Sequence, residues 1–207
     1  MPRLAFTPVQ GRAPEDYFAG SPLEDVWLEI GFGAGEHLLW QAEHHPATGI
    51  IGVEPYVSGV AKLLSRLCPP GIPAERAEAG MRNIRLYTDD AREVIANLPD
   101  ASLGRVFLLF PDPWPKTRHH KRRFVQMEML DQLARVMTSG AEFRFATDDA
   151  SYLVWALERL MAHPAFSWLA TAPADWRQRP SDWPQTRYEA KAVRQGRAGT
   201  FLRFARR

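Results

Sequence analysis

Val26-Trp27-Leu28-Glu29-Ile30-Gly31-Phe32-Gly33-Ala34-Gly35-Glu36 joins a short apolar run to three glycines spaced by single residues. The run reads as a buried strand over 26–30. The glycines read as a sharp turn into a helix from 35 to about 42, with Leu38, Leu39 and Ala42 on one side. Outward from this unit the alternation repeats. Apolar runs at 50–53, 84–87, 106–110 and 143–146 predict strands, and helical spacing predicts helices over 57–67, 91–98, 124–137 and 152–161. Residues 166–205 hold two further strands around a Pro- and Trp-rich loop, 171–185. The strands are continuously hydrophobic rather than alternating, so both faces of their sheet must be covered. The expected fold is α/β: a doubly wound, mostly parallel, seven-stranded sheet. The expected organisation is one domain over 1–207, with residues 1–22, rich in Pro and Gly, as an N-terminal loop.

Composition agrees with that reading. The 207 residues are 45% hydrophobic and 24% charged, enough to bury a core without covalent staples. The single cysteine, Cys68, excludes an intramolecular disulfide and a Cys-rich zinc site, and no metal is expected. No apolar stretch approaches the length of a bilayer span, and residues 1–7 lack the apolar centre of a signal peptide. These features predict a cytoplasmic protein without a membrane partner; nothing in the pattern sets an oligomeric state. The formal net charge is only +2, but it is segregated. Residues 113–127 contain no acid, yet carry Lys116, Arg118, Lys121, Arg122 and Arg123. Residues 187–207 set seven cations against Glu189 alone. Arginine outnumbers lysine 22 to 4, which a GC-rich genome explains as well as selection for phosphate contacts does.

In an open α/β sheet, ligands bind beyond the carboxyl ends of the strands. The first strand places Glu29 there, two residues before Gly31-x-Gly33-x-Gly35, and the three glycines let a ligand approach the backbone. A dinucleotide fingerprint would read GxGxxG and seat a pyrophosphate. Here the spacing is GxGxG, and a carboxylate stands where it would repel phosphate. A cationic ligand fits better, and S-adenosyl-L-methionine carries both an ammonium and a sulfonium. Glu54, at the end of the second strand, can accept both hydroxyls of a ribose, each charge-assisted bond being worth roughly 1.5–3 kcal/mol. The third strand leads to Asp89-Asp90, where a carboxylate can accept from an adenine amino group; Asp90 would equally serve as N-cap of the helix at Ala91. The fourth delivers Pro111-Asp112-Pro113-Trp114-Pro115-Lys116, in which flanking prolines stiffen the chain and hold Asp112 at the sheet edge. The motif is akin to the D-P-P-W type of amino-methylating enzymes, in a different order. The cations beside it suit an RNA or DNA substrate, so Arg118, Lys121, Arg122 and Arg123 are expected to contact it.

These residues resemble the bacterial tRNA (guanine-N7-)-methyltransferase family. The likeness is carried by LEIGFGAGE (28–36), Gly52-Val53-Glu54, Asp90-Ala91, FPDPWPKTRHHKRRF (110–124), Ala146-Thr147-Asp148 and Thr186-Arg187-Tyr188-Glu189-Ala190-Lys191. The resemblance implies a Rossmann-like class I methyltransferase acting on N7 of a tRNA guanine, the variable-loop guanine at tRNA position 46. It implies that Glu29, Glu54, Asp90 and Asp112 bind S-adenosyl-L-methionine, with Asp112 also catalytic. Lys116, Asp148 and the Thr186, Arg187, Tyr188, Glu189 tetrad would hold the guanosine and its neighbours. The chain departs from the family at two places. Only Arg3 and Arg12 precede the first strand, where family members often carry a longer basic arm, and Tyr188 stands where phenylalanine is common.

Guanine N7 has an unshared pair and no proton, so its methylation needs no general base. It needs alignment of N7, methyl and sulfur, and tolerance of the positive charge that appears on the purine. Asp112 and Asp148 can stabilise that charge, and Glu189 can accept from N1–H and the exocyclic amino group, an edge unique to guanine. Trp176, Trp183 and Tyr188 are either stacking platforms for an unpaired base or core filling. Three other readings stand beside this one. Amino-methylation of adenine or cytosine is disfavoured by Pro113-Trp114. A nucleotide-binding oxidoreductase predicts GxGxxG and no basic loop, and a noncatalytic RNA-binding subunit leaves the retained carboxylates and glycines without a purpose.

Overall fold

In the computed structural model, which describes residues 4–18, 22–69, 71 and 82–207, the apolar run before the glycines is a central strand. Seven strands form one sheet: β1 (Asp25–Ile30), β2 (Thr48–Val53), β3 (Ile84–Tyr87), β4 (Leu103–Leu109), β5 (Met137–Thr147), β6 (Phe166–Trp168) and β7 (Thr200–Arg206). Their spatial order is β3-β2-β1-β4-β5-β7-β6; the first five pair in parallel and β7 is antiparallel to both its neighbours. The helices are α1 (Glu36–His44), α2 (Val57–Leu67), α3 (Ala91–Asn97), α4 (Met127–Val136), α5 (Ala150–Ala162), α6 (Ala174–Arg177) and α7 (Arg187–Arg194). This is the doubly wound, mostly parallel α/β sheet expected from the sequence.

Both faces of the sheet are dry, which is why the strands show no alternation. Val26, Leu28 and Ile30 of β1 pack with Val106 and Leu108 beneath helix residues Ile95, Leu130 and Tyr152. Trp27 turns the other way, onto Ile50 and Phe107, and is covered by Leu38 of α1 and Leu63 of α2. Each such leucine or isoleucine contributes about 1.5–3 kcal/mol on full burial. Because β2 lies on one side of β1 and β4 on the other, the loops after β1 and β4 diverge at the sheet edge and leave a crevice between them.

Several boundaries differ from expectation, each for a physical reason. Part of the stretch 1–22 expected as loop is structured. Pro14–Phe18 is a 3-10 helix with Phe18 fully buried, and Leu86 N–H donates to Leu4 O at 2.7 Å. Helix α4 starts at Met127 rather than 124, because the N–H groups of Phe124 and Val125 donate to the Tyr152 hydroxyl at 2.9 and 3.3 Å instead. Strand β5 begins at Met137, well before 143, because Met137 pairs with Leu103 ahead of a bulge. The loop 171–185 contains α6, with the Asp175 carboxylate accepting from the N–H groups of Thr171 and Ala172.

Candidate active site

Gly31, Gly33 and Gly35 adopt φ of 72, 56 and 74°, the left-handed region that only glycine enters without steric cost. Their turn brings the Gly33 N–H to the Glu54 carboxylate at 2.8 Å, and Tyr56 N–H binds its other oxygen at 2.9 Å. Glu54, only 4% exposed, is therefore oriented by two backbone amides and keeps lone pairs for a further donor. Gly35 plays another part. It caps α1, and a Cβ there would lie 2.4 Å from the Leu63 side chain, so this glycine serves helix packing and faces neither cavity described below.

A cavity of about 560 Å³ opens at the crevice, within the size range of small-molecule sites. Gly31, Gly33, Glu54, Asp90 and Asp112 line it together. Asp90 also caps α3, accepting from Arg92 N–H at 2.9 Å, so the capping reading of this residue holds, and the same carboxylate borders the cavity. Glu29 is set apart. It is 3% exposed, its carboxylate lies 2.8 Å from His37 Nδ1, and it lines a smaller adjoining cavity of about 190 Å³ with Thr186 and Arg187. Gly31, Gly33, Phe110 and Tyr188 border both cavities. His37 Nε2 in turn contacts the Gln41 side-chain amide at 3.1 Å, and that amide donates to Asp182 O at 2.8 Å. Sequence reasoning missed His37 and Gln41; the available signal was two polar residues, four apart, beside buried Leu38 and Ala42.

Asp112 is exposed between two non-glycine residues in the left-handed region, Phe110 at φ 50° and Trp114 at φ 45°. The loop is tied from below. Arg123 Nε donates to Pro113 O at 2.9 Å, and its guanidinium also reaches Ser151 O at 3.2 Å and the Ser151 hydroxyl. Arg123 is 1% exposed, lies against Tyr152 and Trp155, and burial pushes its pKa down. The expectation that it contacts RNA is thus corrected. Residues 117–122 wind as a 3-10 helix, and the chain leaves it with Arg123 turned inward. Arg118, Lys121 and Arg122 are exposed as expected, with Arg122 4.7 Å from the Trp114 ring and on the cavity wall.

On the substrate side, Thr186 caps α7 by accepting from Glu189 N–H at 3.2 Å. Tyr188 lies 5.3 Å from the Phe110 ring, and its hydroxyl donates to Asp148 at 3.3 Å; Arg197 binds the same carboxylate. Lys116 is exposed beside the loop. Lys116, Asp148 and Glu189 line neither cavity. Burial pushes the Glu189 carboxyl up despite Arg179, whose Nε lies 3.1 Å away. Of the three aromatic candidates only Tyr188 borders the cavities. Trp183 is 2% exposed and packs on Ala146 and Phe201, so it is core, and Trp176 packs against the main core. Among the described residues no group of three or more His, Cys, Asp or Glu is placed to hold a metal ion, and no helix is long and apolar enough to cross a membrane.

A family model described as "Putative methyltransferase" matches residues 24–202. The chain is 50% identical over 186 residues to a tRNA (guanine-N(7)-)-methyltransferase of Rhodospirillum rubrum, spanning 90% of this chain and 69% of that protein. A protein of the same description from Brucella anthropi is 47% identical over 209 residues, spanning 100% of this chain and 85% of that one. Among solved structures, a 16S rRNA methyltransferase, KamB, superposes with a TM-score of 0.59 at 17% identity, over 98% of this chain and 100% of that one. An antibiotic-related methyltransferase does so at 0.56 and 17%, over 89% and 88%. At such identities these structures speak for the fold alone.

Proposed function

Since the chain belongs to the bacterial tRNA (guanine-N7-)-methyltransferase family, we propose that it methylates N7 of guanine in tRNA, with S-adenosyl-L-methionine as methyl donor. The observation that carries the reading to this site is the convergence of Glu54, Asp90 and Asp112 on one cavity bordered by Tyr188 and Arg122. The donor set suits the cofactor. Glu54 has lone pairs free for ribose hydroxyls, Asp90 for an adenine amino group, and Glu29 offers a buried carboxylate to an ammonium. The cofactor supplies a methyl group on a sulfonium, which is electrophilic without activation.

The protein's own part is to orient and to balance charge. N7 has no proton to lose, so no general base is required, and no histidine or lysine lines the large cavity. Asp112, held at the sheet edge by the Arg123 tie, favours the cationic purine as it forms. Asp148, its charge offset by Arg197, orients Tyr188 by accepting from its hydroxyl, and Tyr188 borders the cavity where a purine would enter. Glu189 reads the guanine edge in this scheme, sharing its carboxylate with Arg179; Glu189→Ala with guanine methylation unchanged would sink that assignment. Arg118, Lys121 and Arg122 contact the RNA backbone, Lys116 joins Thr186 and Arg187 in holding the guanosine and its neighbours, and the variable-loop guanine is the target. The chain acts as one domain, in the bacterial cytoplasm.

The test is incubation of the protein with labelled S-adenosyl-L-methionine and unmodified tRNA transcript, followed by digestion and identification of the labelled nucleoside. The expected product is 7-methylguanosine, reduced roughly 10²-fold or more by Asp112→Ala. A labelled adenosine or cytidine derivative overturns the reading.

A further inference from the structure

Helix α2 packs on one face of the sheet through Leu63, whereas the chain leaving the basic 3-10 segment packs on the other through Val125. The N-cap of α2, Tyr56, borders the large cavity, as do Trp114 and Arg122 of the basic segment. A second cationic surface starts from α2. Glu36 joins it to α7, its carboxylate accepting from Arg187 N–H at 2.6 Å and Arg66 Nη2 at 2.7 Å, with Arg187 Nε 3.0 Å away as an ion pair. Arg66, Arg187, Lys62 and Ser65 line a cleft of about 340 Å³. Lys191 and Arg194 are exposed and follow Arg187 at i+4 and i+7, one face of α7. Among the described residues, Lys62, Lys191 and Arg194 have no carboxylate within ion-pair distance.

Arg66 and Arg187 thus share one carboxylate, and Lys62, Lys191 and Arg194 pair with none among the described residues, whereas an ordinary solvated face intersperses both signs. The lysines sharpen the pattern. The chain has only four; Lys116 and Lys121 stand on the basic segment, and Lys62 and Lys191 stand here. Glu36 holds two guanidinium planes in place, and each guanidinium has donors left for an incoming oxyanion.

We propose that this α2–α7 face is a second contact surface for the tRNA, taking backbone phosphates, so that the RNA is held on both rims of the cavity. The proposal rests on the tRNA reading above. Lys62 and Lys191 test it best, because neither supports the fold through a partner. In the double variant Lys62→Gln/Lys191→Gln, two phosphate contacts are lost. The plot of log affinity for tRNA against log salt should then flatten by roughly 1.8, and affinity near 0.15 M salt should fall about thirtyfold. The loss should fall on KM for tRNA rather than on kcat, with the cofactor dissociation constant unchanged. An affinity and slope equal to those of the parent chain would overturn the proposal, above all if Arg118→Gln/Lys121→Gln lowers both. Failure of the parent chain itself to bind or methylate tRNA would instead overturn the reading on which the proposal rests.

Discussion

After β1 the chain turns on Gly31, Gly33 and Gly35, all left-handed; after β4 it turns through Phe110 and Trp114, which are left-handed too. The glycines accept that conformation freely, whereas Phe110 and Trp114 cost roughly 1–2 kcal/mol each. Something outside the second loop must offset that cost. Phe110 N–H donates to Ala146 O at 2.7 Å, and its ring packs on Tyr188 and Phe201. Trp114 lies under Arg122, and Pro113 O is bound by Arg123. One turn is a local property of its residues. The other exists because distant elements hold it, and it is the one that carries Asp112.

If so, the proline loop should be breakable from a distance. Arg123→Ala empties a buried site and strips partners from Pro113 O and Ser151, for a loss of roughly 3 kcal/mol in denaturant titrations. Methyl transfer should fall with it, by up to about 10²-fold, because a small displacement of Asp112 misaligns the reactants. Arg123→Lys should not restore either, since one ammonium cannot reproduce the planar fork. Unchanged turnover in Arg123→Ala would mean that the prolines alone shape the loop.

Within the glycine turn, position matters. Gly35→Ala combines a left-handed φ with a Cβ placed against buried Leu63, so about 2–3 kcal/mol should be lost. Gly31→Ala meets nothing within 4 Å and should lose only about 1 kcal/mol. Thermal or chemical unfolding of the pair measures the difference. Equal losses would show that the close approach of α1 to α2 carries no weight.

The smallest effect concerns pH at the end of the glycine turn. Burial raises the Glu36 pKa, but hydrogen bonds from Arg66 and Arg187 outweigh it and leave the group below its ordinary value. A carboxyl with a lowered folded-state pKa stabilises above its unfolded value and loses that contribution as pH falls through the folded one. Parent chain and Glu36→Gln should therefore differ in stability at neutral pH and converge in acid. A difference that does not vary with pH would remove the charge from the explanation.

Much of this architecture was legible in the residues. The sheet order class, the glycine turn and the carboxylates following β2, β3 and β4 follow from apolar runs and from steric rules that act over a few residues, and α2 and β3 fall where the spacing puts them. The borders of α4 and β5 did not, because a tyrosine hydroxyl 28 residues away and a bulged strand partner claim the backbone groups involved. Side-chain direction was the least legible. Arg122 and Arg123 are neighbours of one type in one basic run, yet the first faces the cavity and the second is buried. Gly35 shares a motif with Gly31 and Gly33 but faces Leu63 instead of a ligand. Glu29 belongs to the cofactor pattern, but its partner is His37, eight residues on and the second residue of α1. Local chemistry and periodicity thus determined which residues arrive at the sheet edge. Which way each one points, and what holds it there, depends on contacts between segments far apart in the chain, and those arise only once the two faces of the sheet are packed.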